Sequence, residues 1–148
     1  MSVNEKLKEL GLAVKEPSGP RGKLAPAVRT GNLVFTSGNT SPQVGKVGAE
    51  VTLEEAYQGA REAILSCLGA VKWLVGDLNK ITRVVKLLGM VNCAEGFFKT
   101  PEVIHGATDL LLELFGPEAG WHARSAVGLY QLPGNCAVEI ELIVEVKD

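Results

Sequence analysis

The pattern of this chain predicts an α+β fold, a mixed sheet with two main helices packed on one face. Two observations carry that expectation. Long stretches behind Thr52 and Thr100 repeat their apolar residues at helical spacing. Around them lie five shorter stretches of strand character, giving the order β-β-α-β-α-β-β. A chain of 148 residues is long enough for one hydrophobic core, and no internal repeat, low-complexity segment or linker divides it. Residues 1–148 are therefore read as one domain, with 1–24 as an N-terminal helix-and-loop extension.

The first element is a short amphipathic helix over 3–10, with Val3, Leu7 and Leu10 on one side. The breaker-rich run Glu16-Pro-Ser-Gly-Pro-Arg-Gly22 ends it. Ala27-Val-Arg29 and Leu33-Val-Phe-Thr36 read as a hairpin around Thr30-Gly-Asn32, and Ser37-Gly-Asn-Thr40 as a polar segment leaving it. Thr52-Leu-Glu-Glu55 fits a capping box that opens a helix running to about Val75 and stopping near Gly76. Small residues along it (Ala56, Gly59, Ala60, Ala63 and Gly69) suit close packing on a sheet.

Ile81 to Val91 reads as a strand with apolar residues on both faces, so both sides should be covered. Thr100-Pro101 predicts a second helix start, with Thr100 as N-cap and Pro101 at the first helical position, stopping at Gly116-Pro117. Ala123–Gln131 and Val138–Val146 are the last two strands, joined by a turn at Leu132-Pro-Gly-Asn135 and expected to pair. In the final strand Val138, Ile140, Leu142, Val144 and Val146 share one face. Glu139, Glu141, Ile143 and Glu145 share the other. Two helices cover only one face of such a sheet, so self-association is expected to cover the other.

Composition excludes several function classes. A net charge of −2 without a Lys/Arg cluster disfavours nucleic-acid binding. No apolar run reaches the roughly 20 residues of a membrane span. The charged start Met1–Leu10 lacks a signal-peptide core, so a cytoplasmic location is expected. Cys67, Cys93 and Cys136 are odd in number and widely spaced, which argues for free thiols rather than disulfides or zinc. His105 and His122 have no metal-ligand spacing. Neither a metal nor a cofactor is expected.

Two residues stand out chemically. Arg124 opens an apolar strand among the small residues Ala123, Ser125, Ala126 and Gly128, which leave room beside its guanidinium. Glu139 sits between Val138 and Ile140 on the following strand. Together they read either as a structural ion pair or solvated face, or as an anion clamp beside an acid/base carboxylate.

The segment Ala123-Arg-Ser-Ala-Val-Gly-Leu-Tyr-Gln-Leu-Pro133, followed by Val138-Glu-Ile-Glu141, resembles the C-terminal hallmark of the Rid family (YjgF/L-PSP), the reactive-intermediate deaminases. Gly31-Asn-Leu-Val-Phe-Thr-Ser-Gly38 is similar to that family's N-terminal strand, and Val91-Asn92 with Phe97-Phe98 to its middle element. The resemblance spans about residues 25 to 146. It implies a chorismate-mutase-like fold, a homotrimer whose sheets form a central barrel, and ligand clefts between subunits.

The implied reaction is hydrolysis of 2-imino or enamine acids to 2-keto acids and ammonia. By resemblance, Arg124 holds the substrate carboxylate and Glu139 positions or activates water. Ser37 and Gly38 line the cleft, Asn92 lies near it, and Ala126 offers its backbone N–H. Ala27 stands where family deaminases carry a Tyr, and Gly120-Trp-His122 also departs from their pattern. The alternative reading is a non-enzymatic trimer that binds or senses small carboxylates through the same Arg124.

Overall fold

The computed structural model describes residues 1–148. In chain order its elements are α1 (Val3–Glu9), β1 (Ala27–Thr30), β2 (Leu33–Thr36), β3 (Asn39–Thr40), α2 (Leu53–Val75), β4 (Ile81–Asn92), α3 (Thr100–Ala119), β5 (Ala123–Leu129) and β6 (Val138–Val146). They build one mixed sheet in the order β1-β2-β6-β4-β5, with β3 pairing onto β6. Only β4 and β5 run parallel.

The alternation of β6 decides its place. Val138, Ile140, Leu142, Val144 and Val146 are all buried beneath the helices, while Glu139, Glu141, Ile143 and Glu145 face away. A strand with so continuous an apolar row gains most with neighbours on both sides, and β6 lies between β2 and β4. The expected pairing of the last two strands is therefore corrected. Strand β4 separates them, and β5, rich in small and half-exposed residues, takes the sheet edge.

Helices α2 and α3 cover one face and α1 packs on α3 through the buried Val3 and Leu7. The two main helices approach closely at Gly106, where a Cβ would lie 2.0 Å from the Tyr57 carbonyl oxygen. The Thr52 capping box is present: Thr52 Oγ1 accepts from the Glu55 N–H at 3.1 Å. Gly76, at φ 88°, closes α2 where expected.

The start of α3 differs from expectation. Lys99 is the N-cap, and Thr100, inside the helix, donates its hydroxyl to the Ala126 carbonyl at 3.0 Å. A bond that ties the helix to the edge strand has displaced a local cap. Gly116, at φ 79°, interrupts α3 at the expected stop, and one further turn follows. Asn39–Thr40, expected as a polar exit, pairs with β6.

The open face of the sheet is apolar in part: Val28 and Phe35 are exposed, and Val85, Leu88 and Met90 half-buried. Covering of both sides of β4 is thus met on the helix side alone within this chain. No helix is long and apolar enough to cross a membrane.

Candidate functional site

Arg124 is the second residue of β5, opposite Leu87 of β4, and its side chain turns to the helix side. There Nη1 donates to His105 Nδ1 at 2.9 Å and to Thr108 Oγ1 at 3.2 Å, both from α3. A guanidinium only donates, so His105 carries its ring proton on Nε2. A second relay backs the first. His122 Nδ1 lies 2.6 Å from the Gly120 carbonyl, which only accepts, so Nδ1 holds the proton. His122 Nε2, 3.1 Å from Thr108 Oγ1, then accepts from that hydroxyl.

The charges agree with this arrangement. Burial, the neighbouring Arg124 adding to it, holds the His122 pKa below its ordinary value, against the Gly120 hydrogen bond. Burial also draws the Arg124 pKa down, with Asp109 acting the other way. Asp109 itself accepts from the Tyr57 hydroxyl at 2.7 Å. Nη1 carries both of the guanidinium's bonds within the chain, so Nη2 and Nε are left without a partner in it, and Arg124 is one of the residues that line a cleft of about 280 Å³. A free guanidinium edge of this kind matches a carboxylate.

Glu139 occupies a different setting. On β6 it points to the open face, over the Gly38 backbone between β2 and β3. A Cβ on Gly38 would lie 2.2 Å from Glu139 Oε2, so only glycine fits beneath the carboxylate as it stands. Burial and then the charge of Glu141 raise the Glu139 pKa. Ser37 donates its hydroxyl to the Ala25 carbonyl at 2.7 Å. Ser37, Gly38 and Glu139 thus come together, as do Arg124 and Ala126 on the far side of β4.

Asn92, two positions beyond Met90 (the partner of Glu139) on β4, is engaged by other residues. It is 0% exposed and holds the molecule together: Nδ2 donates to Asn135 Oδ1 at 3.0 Å and the Cys136 carbonyl at 3.1 Å, and Oδ1 accepts from Lys46 Nζ at 2.9 Å. It pairs with Leu129, five positions along the ladder from Leu87 and Arg124, roughly 16 Å away. Ala126 gives its carbonyl to Thr100.

Arg124 and Glu139 make no ion pair. They pair with Leu87 and Met90 of β4, three positions apart and therefore on opposite faces, with Cα atoms on the order of 14 Å apart.

Sequence patterning gives His105, Thr108 and His122 no role, yet all three serve Arg124. The spacing of His105 and Thr108, three residues apart on one helix face, is the signal that could have joined them. The thiols lie elsewhere, and burial pushes the Cys67 thiol up to about 12.

The profile of the family described as YjgF/chorismate mutase-like, putative endoribonuclease, matches residues 5–146. This chain belongs to the YjgF/L-PSP family. Protein TCP17 of Trypanosoma cruzi is 34% identical to this YjgF-type chain over 152 residues, covering 99% of it and 95% of TCP17. Among solved structures, Atu1372 of Agrobacterium tumefaciens, described as of unknown function, is 38% identical with a TM-score of 0.88, covering 98% of this chain and 92% of that one. A protein of Shewanella oneidensis MR-1, described as a putative endoribonuclease, is 30% identical with a TM-score of 0.92, covering 99% and 100%. The YjgF fold places Arg124 at the rim of the sheet and Glu139 on its open face.

Proposed function

We propose that this YjgF-family chain hydrolyses reactive 2-imino and enamine acids to 2-keto acids and ammonia, at clefts between the subunits of a cytosolic homotrimer. The observation that carries the reading is the Arg124 fork. Nη1 is held by His105 and Thr108, which leaves Nη2 and Nε without a partner in the chain and available to a carboxylate. Such preorientation lowers the entropy lost on binding.

The separation of Arg124 from Glu139 supports the inter-subunit cleft. Facing opposite sides within one chain, they serve one ligand only if Glu139 comes from a neighbour. The half-exposed apolar residues of the open face favour such an assembly. In the reaction, Glu139 takes a proton from water as its oxygen bonds to the C=N carbon. It passes that proton to nitrogen, giving a carbinolamine, then draws the hydroxyl proton and delivers it to the amine as the C–N bond breaks and the C=O bond forms, so that keto acid and ammonia leave and the carboxylate is restored. A carboxylate with a raised pKa suits this two-way proton traffic. The imine also hydrolyses unaided, so the site needs to supply only modest acceleration.

A second reading keeps the fork and drops the chemistry. Ala27, buried where family deaminases carry Tyr, favours a trimer that only binds 2-keto acids. RNA as substrate fits less well, since Glu139, Glu141 and Glu145 line the open face.

The test generates imines with an amino-acid oxidase and follows ammonia release with and without the protein, RNA cleavage being measured alongside. Faster release supports the deaminase. Keto-acid binding with no acceleration selects the binder, and RNA cleavage without either overturns both readings.

A further inference from the structure

Trp121 exposes 72% of its surface, although an indole is among the most favourable side chains to bury. It lies three residues before Arg124 and borders two clefts. The smaller has Arg124, His105 and Thr108 in its lining, with Leu112 as another apolar wall. The larger, about 540 Å³, runs along the open face beside Leu33 and Val85.

The polar groups of the smaller cleft are largely spoken for. Thr108 is held between Arg124 and His122, and both His122 nitrogens are engaged. His105 has given Nδ1 to Arg124. What remains for a ligand is the free edge of Arg124, the Nε2–H of His105 and the indole Nε1–H of Trp121, all donors. Beyond them the ligand meets Leu112 and the indole. A molecule that fits this offer has an acidic head and an apolar body. A second carboxylate or hydroxyl set against Leu112 and the face of the indole would lose water without gaining a partner there.

We propose that Trp121 sets side-chain specificity, selecting 2-imino and 2-keto acids with large apolar, aromatic side chains over those with a methyl group. The inference rests on the reading that Arg124 clamps the carboxylate. Offset or edge-to-face contact between the indole and a phenyl ring would supply the selection.

Calorimetry on the full-length protein with phenylpyruvate and pyruvate tests it, sedimentation being run on each variant. The parent should prefer phenylpyruvate by about tenfold. Trp121→Ala should erase most of that preference, weakening pyruvate far less. Trp121→Phe should keep it, and Arg124→Lys should weaken both acids together. Equal binding of the two acids by the parent overturns the inference, as does an equal loss of both in Trp121→Ala or a lost preference in Trp121→Phe. If Trp121→Ala breaks up the assembly, the indole is a subunit contact and the inference also falls. When both acids bind through Arg124 without preference, the carboxylate clamp stands and only the specificity claim fails. When neither binds the parent, the clamp itself is wrong.

Discussion

Arg124 reaches into a polar ring supplied by α3 and the turn at Gly120–His122, whereas Glu139 stands over bare backbone at Gly38. The first is oriented from behind by neutral donors and acceptors and presents a fixed edge. The second makes no side-chain hydrogen bond within the chain and has a raised pKa, so it can take up and release a proton, and it is held in place mainly by packing. Neither charge neutralises the other within the chain. Within one chain these two groups lie on opposite faces of the sheet, and the proposed assembly joins them across a subunit boundary.

Mixing variants is the sharpest way to break that view. Glu139→Gln should lower imine hydrolysis by about 10²-fold or more, the usual scale for losing a positioned general base. Arg124→Lys should weaken keto-acid binding roughly tenfold to a hundredfold, because a point charge replaces a fork. If each cleft joins Arg124 of one subunit to Glu139 of the next, trimers reassembled from equal amounts of the two variants regain about a quarter of parental activity. A site built within one subunit recovers none. Sedimentation equilibrium on the parent accompanies this experiment, and a stable monomer at micromolar concentration would remove its basis. Unfolding of Glu139→Gln would instead make Glu139 a structural residue.

Gly38→Ala probes the Glu139 side alone. The added methyl collides with Oε2 and must push the carboxylate aside, a small shift for a flexible side chain. Turnover should drop by about tenfold, since sub-ångström placement matters to a general base. Keto-acid binding at Arg124 should persist, which calorimetry on the same preparation checks. Loss of both would tie Gly38 to the fold rather than to the carboxylate.

The two regions also differ in how far the sequence disclosed them. Periodicity and caps located every main helix and strand, because the Thr52 capping box, the stops at Gly76 and Gly116 and the alternation of β6 are all local signals. Strand neighbours are not local. The turn at Leu132–Asn135 suggests a hairpin, but it feeds β6 into the middle of the sheet, where its apolar row has partners on both sides. Thr100 misleads for a similar reason, its hydroxyl being claimed by Ala126 across the fold.

At the site, Arg124 and Glu139 are visible as charges in apolar strands. The His105–Arg124–Thr108–His122 relay is not, because it joins two segments by tertiary packing. Asn92 carries the same lesson. The resemblance sets it near the cleft, and its bonds to Lys46, Asn135 and Cys136, also out of reach of local pattern, fasten the loops around it.

The smallest effect concerns acid, to which the two regions should respond with opposite signs. His122 has a folded-state pKa below the ordinary value of 6.5, so the folded chain binds fewer protons there than the unfolded one. Its contribution to stability is present above that value and is lost as pH falls towards the lowered folded pKa. Protonating Nε2 removes the acceptor for the Thr108 hydroxyl and sets a cation beside Arg124, which gives the loss a structural cause. Glu139 has a folded-state pKa above 4.5, so its contribution is complete below that value and is lost as pH rises through the folded pKa.

Both groups are partly exposed, so solvent screens each effect. The measurement is therefore a difference in Tm between parent and variant across pH 7 to about 5, where the other titrating groups cancel to first order. His122→Asn keeps a donor for the Gly120 carbonyl but does not titrate, and should flatten the acid-side fall in Tm. Glu139→Gln should steepen it, having removed the group that gains from acid. If His122→Asn follows the parent curve throughout, the imidazole is not held neutral by its burial, and the proton assignments around Arg124 must be redrawn.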